Sequence, residues 1–290
     1  EPPSADPKQQ LEQYLRDGKH YEALLPLRAL VNAEPENPAW RVQLVRLYRQ
    51  LGLLAQAREV LETATQLLPD DETLLQEWAA LLEAEGDLAG AIARLQRALI
   101  TRPDARTLRL RLFDLQLQAG DASQAAHTLE PLANQTDEEV RFRQYLLRGA
   151  LRQLEELPRE SFALTESRAA LWFQVLSGLA ADLASELLDL RRFANSPNPN
   201  WSALRERGER TVLTALQIAQ WAESVQPTDT TRTLLAHARF ACQMLTQSAQ
   251  HMARYLLSRK VEEEERASLL RIEAMRDLES AKNALPKRTP

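Results

Sequence analysis

Glycine recurs at a fixed spacing of 34 residues in the first half of the chain, at Gly18, Gly52, Gly86 and Gly120. Prolines and alanines keep the same spacing, and these are Pro35, Pro69, Pro103, Ala23, Ala57, Ala91 and Ala125. A fixed period means that one structural unit is copied in tandem. Thirty-four residues accommodate two helices of about 12 to 14 residues and two short turns. The sequence therefore predicts an array of helix pairs.

The shared spacing divides this region into four repeats, 4–37, 38–71, 72–105 and 106–139. Within each repeat, the position of a residue type indicates its structural role. Glycine permits the turn between the first helix (A) and the second (B), because it accepts a positive φ. Alanine lets the two helices approach closely. Proline ends helix B, since it lacks an N–H and restricts the residue before it.

These positions closely resemble the tetratricopeptide repeat over about 135 residues. In the second and third repeats the matching residues are Leu44, Tyr48, Leu51, Gly52, Ala57, Leu61, Ala64, Pro69, Trp78, Leu82, Gly86, Ala91, Leu95, Ala98 and Pro103. The first repeat departs from the family at His20 and Leu30, and the fourth at Asp137, as terminal repeats often do. The resemblance implies an all-α fold with a right-handed superhelix of about four repeats.

Residues 140–157 begin a fifth unit in phase with the repeats, but Leu154 stands where glycine is expected and Pro158 follows. We interpret this segment as a capping helix. Longer helices are predicted over 159–285 as an antiparallel bundle, with segments at 165–193, 201–224 and 230–285. The last segment is expected to bend or break near 258–262. Beyond Val261 a narrow apolar stripe indicates either self-association or packing on its own chain, and it comprises Leu269, Leu270, Ile272, Met275 and Leu278.

The charge balance divides the chain. The formal net charge is −5, but residues 1–139 carry −9 and residues 140–290 carry +4. The positive excess is small and mixed with acids, so nucleic acid is not an expected partner. Cys242 is the only cysteine, and no run of about 20 apolar residues is apparent. We expect a membrane role only if a segment before Glu1 anchors the chain. A cytoplasmic or membrane-anchored soluble domain is favoured, and the localisation stays open.

The motifs of common catalytic and cofactor sites are absent from the sequence, including phosphate-binding loops, G-x-S-x-G, H-E-x-x-H and C-x-x-C. His237 and His251 are 14 residues apart, too far along one helix to share a metal ion. The acidic run 262–265 points around all faces of a helix. We therefore expect a non-enzymatic protein with no catalytic residue, no cofactor and no metal.

The resemblance implies that the A helices line a concave groove for a peptide or helix of a partner protein. The groove positions selected by this resemblance are Lys8, Gln9, Arg16, Gln43, Arg46, Arg49, Gln76, Glu77, Arg111 and Asp114. Arg46 and Arg49 are three residues apart and are expected to receive a carboxylate or an acidic helix. One subtype of the family binds the C-terminal carboxylate of chaperones through a fixed set of polar residues. Only Lys8 matches that set, so the sequence does not favour this subtype.

The predicted function is a protein-interaction scaffold or assembly factor. Replacing Arg46 and Arg49 by Glu is expected to weaken partner binding and to leave helicity intact. Two alternatives remain open. In one, the acidic half docks on the basic half or the chain self-associates as a homodimer. In the other, the C-terminal half binds polyanions or nucleic acid.

Overall fold

The protein was analysed as a computed structural model that describes residues 6–35, 37–69, 71–155 and 161–286. The chain folds into two compact units, with the boundary between Leu129 and Glu130. The predicted domain boundaries at residues 139 and 157 stay predictions, and Pro158 lies outside the described residues.

The N-terminal unit consists of four helix pairs that follow the 34-residue repeat. Asp6, Asn37 and Asp71 cap the first three A helices, each with a side-chain oxygen that accepts a backbone N–H. After each A helix the repeat glycine adopts a positive φ, from 68° at Gly18 to 83° at Gly86. The helices are α1 (Pro7–Arg16), α2 (His20–Ala33), α3 (Pro38–Gln50), α4 (Leu54–Leu67), α5 (Glu72–Ala84), α6 (Leu88–Thr101), α7 (Arg106–Gln118) and α8 (Ala122–Leu129).

The repeated alanines belong to the buried interior of the helix pairs. Ala23, Ala57, Ala91 and Ala125 are fully buried. Leu61 and Leu95, one turn further along α4 and α6, are also fully buried and continue the core. This arrangement confirms the predicted all-α repeat fold.

The C-terminal unit is built from five helices, a short 3-10 turn and two three-residue strands in its described part. Strand β1 (Phe162–Leu164) pairs in parallel with strand β2 (Val225–Pro227), and Phe162 lies opposite Val225. The sequence analysis predicted the long helices to within one or two residues at most ends, but it did not predict the strands. The elements are α9 (Glu138–Ala150), β1 (Phe162–Leu164), α10 (Glu166–Ala194), α11 (Trp201–Glu223), β2 (Val225–Pro227), α12 (Arg232–Ser258) and α13 (Val261–Asn283).

Helix α9 departs from the repeat phase. It begins at Glu138, 32 residues after the start of α7 at Arg106, because Asp137 serves as its N-cap. The residue in the position of the turn glycine is therefore Arg152, which has a φ of 63°. The assignment of Leu154 to that position was wrong, since α9 begins two residues earlier than the 34-residue period requires.

An aromatic cluster forms the core beside α9. The Tyr145 ring stacks on Trp221 at a centroid distance of 4.5 Å, and Trp172 stacks on the same indole at 5.9 Å. The Tyr145 hydroxyl donates to the Trp221 carbonyl (2.9 Å) and accepts from the Trp172 indole N–H (3.1 Å). Burial raises the pKa of this hydroxyl well above its usual value. Gly149 lies against Trp221 and Val175.

Helix α13 folds back on α12, which confirms the predicted break near residue 258. Arg259 has a φ of 58° and turns the chain. His237 contacts Asp277 at 3.2 Å and His251 contacts Glu263 at 2.5 Å, so both histidines link α12 to α13. The buried face of α13 is narrow and consists of Glu264, Ala267, Ala274, Leu278 and Ala281.

The apolar stripe predicted on this helix is only partly the packing face. Leu278 is buried, but Leu269 and Ile272 are 62% and 47% exposed, and Met275 is 36% exposed. Small alanines face α12 because the two helices lie close together. The larger side chains are therefore directed away from the contact, and the stripe does not by itself explain the fold-back.

Helix α10 has the length and composition of a membrane-crossing helix, which the sequence analysis did not anticipate. Its most apolar 18-residue window has a mean hydropathy of 1.2. Half of that window is buried within the protein, and Trp172, Leu176 and Leu190 are fully buried. The core helix of a compact unit can have the same length and composition.

Candidate functional site

Ion pairs join neighbouring A helices along the predicted groove. The Arg46 Nε of α3 donates to Glu77 Oε1 of α5 at 2.6 Å, and Arg49 Nη2 lies 3.3 Å from Glu77 Oε2. On the other side of α5, Arg111 of α7 donates to Glu83. Predicted groove residues from three repeats are thus close together. The carboxylate bound by Arg46 and Arg49 belongs to the same chain.

Burial makes this arrangement sensitive to the loss of a charge. Glu77 is only 4% exposed, whereas the Arg46 side chain is 55% exposed and that of Arg49 is 21% exposed. Burial lowers the pKa of Arg49, Glu77 raises it, and the neighbouring Arg46 and Arg111 lower it further. A buried carboxylate is tolerated when cations and hydrogen bonds surround it. The pairs therefore fix the relative positions of α3, α5 and α7.

A pocket of about 380 Å³ opens beside these ion pairs. Such a volume is within the range of sites that bind small ligands or single side chains. Its wall is mostly apolar, with Val42 buried and the Trp40 indole half-buried, and Arg46 adds one charge. The lining residues are Pro38, Ala39, Trp40, Val42, Gln43, Arg46 and Thr73.

The Trp40 wall is held in place by a carboxylate at the end of α2. Trp40 Nε1 and the Asn37 side-chain amide both donate to Glu34 Oε2, at 2.8 and 3.1 Å. Lys8 Nζ lies 2.9 Å from Glu34 Oε1 and 5.5 Å from the centroid of the indole ring. These hydrogen bonds, with that from Lys8 the largest effect, lower the pKa of Glu34 to about 2.

The anchoring of Trp40 is expected to depend on pH in the acidic range. Because the folded-state pKa of Glu34 is below its usual value of 4.5, its contribution to stability is complete above that value. The contribution decreases as the pH falls toward 2. The stability difference between the parent chain and Glu34→Gln should therefore shrink between pH 5 and pH 2. Urea unfolding at several pH values measures it, and a constant difference would contradict the assignment.

The remaining predicted positions lie on the A helices but outside the pocket lining. Gln9 and Arg16 are exposed on α1, and Arg16 Nε donates to the Glu12 carbonyl of its own helix at 3.3 Å. Gln76 and Asp114 are half-buried on α5 and α7. Lys8 supports Trp40 and does not line the pocket itself. The selection of these ten residues as a partner site stays a prediction.

Sequence analysis missed the residues that shape the pocket, namely Pro38, Ala39, Trp40 and Thr73, and their support Glu34. The ten residues selected on the A helices did not include the first three residues of α3 or Thr73. A signal was available, because Trp40 is an aromatic residue in the first turn of a helix in a chain with only five tryptophans. Aromatic side chains are enriched in binding sites.

Paired helices, turn glycines and a lined groove define a helical-repeat protein. The tetratricopeptide repeat family matches residues 14–82 and 82–151. Among solved structures, the chain is similar to a tetratricopeptide repeat protein from Parabacteroides merdae. That alignment covers 96% of both chains with 17% sequence identity and a TM-score of 0.49. A search of curated protein sequences gave no match.

Through residues 14–151 the chain belongs to the tetratricopeptide repeat family. Repeats of this family generally mediate binding to other proteins, and proteins that contain them are generally non-enzymatic scaffolds. The chain is therefore assigned to the general class of protein-interaction scaffolds. Among the described residues, no group of three or more His, Cys, Asp or Glu side chains could hold a metal ion.

Proposed function

We propose that the groove on α3 and α5 binds a peptide or helix of a partner protein. The pocket walled by Trp40 receives an apolar side chain of that partner. The exposed side of the Arg46 guanidinium receives a carboxylate that lies nearby on the same segment. The protein thus acts as a scaffold that presents a preformed surface.

The observation that carries this proposal is the pocket itself. Its wall combines an aromatic ring, the buried Val42 and one charged group, the composition typical of recognition sites. Arg46 uses its Nε for Glu77 and keeps more than half of its side-chain surface exposed. A guanidinium can bind two carboxylates at once, since it carries five donors.

Rigidity of the groove supports binding. The ion pairs on Glu77 and Glu83 tie three repeats together, and the Glu34 hydrogen bonds fix the Trp40 indole. A surface that is already ordered loses little conformational entropy when a partner binds. Most of the ordering cost then falls on the partner segment, as in other cases where a peptide docks on a folded domain.

Filling the pocket should block binding without disturbing the core. Gln43 is exposed at the pocket edge, so Gln43→Trp places an indole in the space that the partner would use. Peptides selected against the intact chain from a displayed random library provide ligands for the measurement. We expect these peptides to combine an apolar residue with an acidic one. Their affinity for Gln43→Trp, measured by fluorescence polarisation, should fall at least about tenfold.

The matched control is Gln56→Trp, which adds the same side chain at an exposed position of the B helix α4. This variant should bind the selected peptides as the parent chain does. Equal binding by Gln43→Trp and the parent chain would overturn the proposal. Equal loss in both tryptophan variants would show that the effect is not specific to the groove and would also count against it.

A further inference from the structure

A second set of charged side chains lies on the B helices and is not part of the groove. The Trp78 ring, 4% exposed, has the Arg94 Cζ at 4.2 Å from its centroid and the Arg58 Cζ at 5.6 Å. Arg58 belongs to α4, and Arg94 and Arg97 belong to α6. We call these three residues the arginine cluster. One aromatic ring therefore holds two guanidinium groups near each other.

The arginine cluster has fewer carboxylates than the groove. Arg58 pairs with Glu85, but neither Arg94 nor Arg97 makes an ion pair within the described residues. Helix α6 contains no Asp or Glu, although residues 1–139 carry an excess of nine negative charges. In the groove, by contrast, Glu77 and Glu83 accept from the arginines. Within the cluster, Arg94 and Arg97 are thus positive charges without a paired carboxylate among the described residues, on an otherwise acidic unit.

Arg94 is an incompletely satisfied cation. Its Nε is buried and has no hydrogen-bond partner. Burial lowers the pKa of Arg94 most, and repulsion from Arg97 and Arg58 lowers it further. A guanidinium nonetheless stays protonated at neutral pH. A partly buried cation without a paired carboxylate is costly, and an external anion at the guanidinium groups would offset this cost and the repulsion between them.

We propose that the arginine cluster binds an acidic segment of a partner protein, with carboxylates that pair with Arg94 and Arg97. Ile100 lies three residues after Arg97 on α6 and is 80% exposed, so it offers an apolar contact next to the charges. Charge complementarity selects the partner, because two arginines without internal acids attract closely spaced Glu or Asp side chains. This surface lies on α4 and α6, apart from the groove pocket on α3 and α5.

A fluorescein-labelled peptide of six consecutive glutamates tests the inference on the full chain. At low salt we expect it to bind the parent chain, and the Arg94→Gln/Arg97→Gln variant to bind at least about tenfold more weakly. The Arg97→Gln single variant should lose part of this affinity. Because Arg97 is exposed, its loss tests the inference even if Arg94→Gln perturbs the packing on Trp78.

Two controls separate this site from general charge effects and from the groove. Lys19→Gln removes one exposed positive charge elsewhere in the same unit, as Arg97→Gln does in the cluster, and should bind the glutamate peptide like the parent chain. Gln43→Trp, which blocks the groove pocket, should also bind it normally. An equal loss of affinity in Lys19→Gln and Arg97→Gln, or unchanged affinity in Arg97→Gln, would overturn the inference. Loss confined to Gln43→Trp would place the peptide in the groove and overturn it as well.

The Trp78 indole supplies a direct signal. In a protein labelled with ¹⁵N-tryptophan, the glutamate peptide should shift the Trp78 indole resonance, since both guanidinium groups contact that ring. The indoles of Trp172 and Trp221, which are buried in the C-terminal unit, should not move. A shift at Trp40 without one at Trp78 would contradict the inference.

Discussion

Gly149→Ala should lower the free energy of unfolding of the C-terminal unit by about 2 kcal/mol, within the usual range for overpacking a core. A Cβ at this position would lie 2.8 Å from Trp221 Cζ2 and 2.9 Å from Val175 Cγ1. The indole cannot withdraw easily, because it stacks between Tyr145 and Trp172. Thermal and urea unfolding followed by circular dichroism measure the change.

Gly178→Ala is the matched control for this prediction. Gly178 lies inside the 29-residue helix α10 of the same unit, and the nearest atom to its Cβ is Arg152 Nη2 at 3.8 Å. Alanine is favoured over glycine in a helix by up to about 1 kcal/mol, so this variant should be more stable than the parent chain. The opposite signs of the two effects distinguish the clash from helix propensity. Stabilisation by both substitutions would contradict the assigned packing of Gly149.

The double substitution Arg46→Gln/Arg49→Gln should destabilise the N-terminal unit by about 2 kcal/mol, because it leaves the buried Glu77 carboxylate without a cation. The estimate is below the range for fully buried pairs because Arg46 is 55% exposed to solvent. This result changes the expectation drawn from sequence. Reversal of both charges to Glu would place two more carboxylates beside Glu77, so lost binding would not be separable from lost stability.

Removing all three charges provides the control. The Arg46→Gln/Arg49→Gln/Glu77→Gln variant leaves no unpaired ion in the groove and should recover most of the lost stability. Urea unfolding of the three chains gives the coupling between Glu77 and its two arginines. A triple variant as unstable as the double variant would show that the arginines stabilise the unit through packing and not through Glu77.

The repeat could be predicted from sequence because its determinants are local. A turn glycine with positive φ, a small residue at the helix contact and a proline near the helix end act within one helix pair. The same period failed at α9, which begins two residues earlier than the period requires, so that Arg152 takes the position of the turn glycine. An extrapolation of the 34-residue period cannot detect such a shift in the start of a helix. The N-cap residue Asp137 could have indicated it.

The site was harder to predict because its geometry depends on contacts between repeats. Arg46 and Glu77 are 31 residues apart, and neither sequence position alone indicates that the two side chains pair. Trp40 depends on Glu34 and Lys8 from two other helices. On α13, the sequence showed a stripe of large apolar residues, but nothing in it identified the alanines as the residues that pack on α12. Tertiary packing selected the small residues over the large ones at that contact.

Docking of the two halves, homodimer formation and polyanion binding by the C-terminal half stay predictions. The arginine cluster and the groove are expected to bind different partner sequences. The arginine cluster requires several acidic residues, whereas the groove requires an apolar side chain with one acidic residue. Variants at Arg97 and Gln43 can therefore assign an interaction to either surface. This separation matters for any scaffold that contacts two partners at once.

The most direct test of the central claim is a crystal structure of the full chain with a peptide selected against it. The account predicts an apolar peptide side chain in the pocket between Trp40, Val42 and Thr73, with a peptide carboxylate within hydrogen-bond distance of Arg46. A peptide seated elsewhere, with the Trp40 pocket unfilled by the ligand, would contradict it.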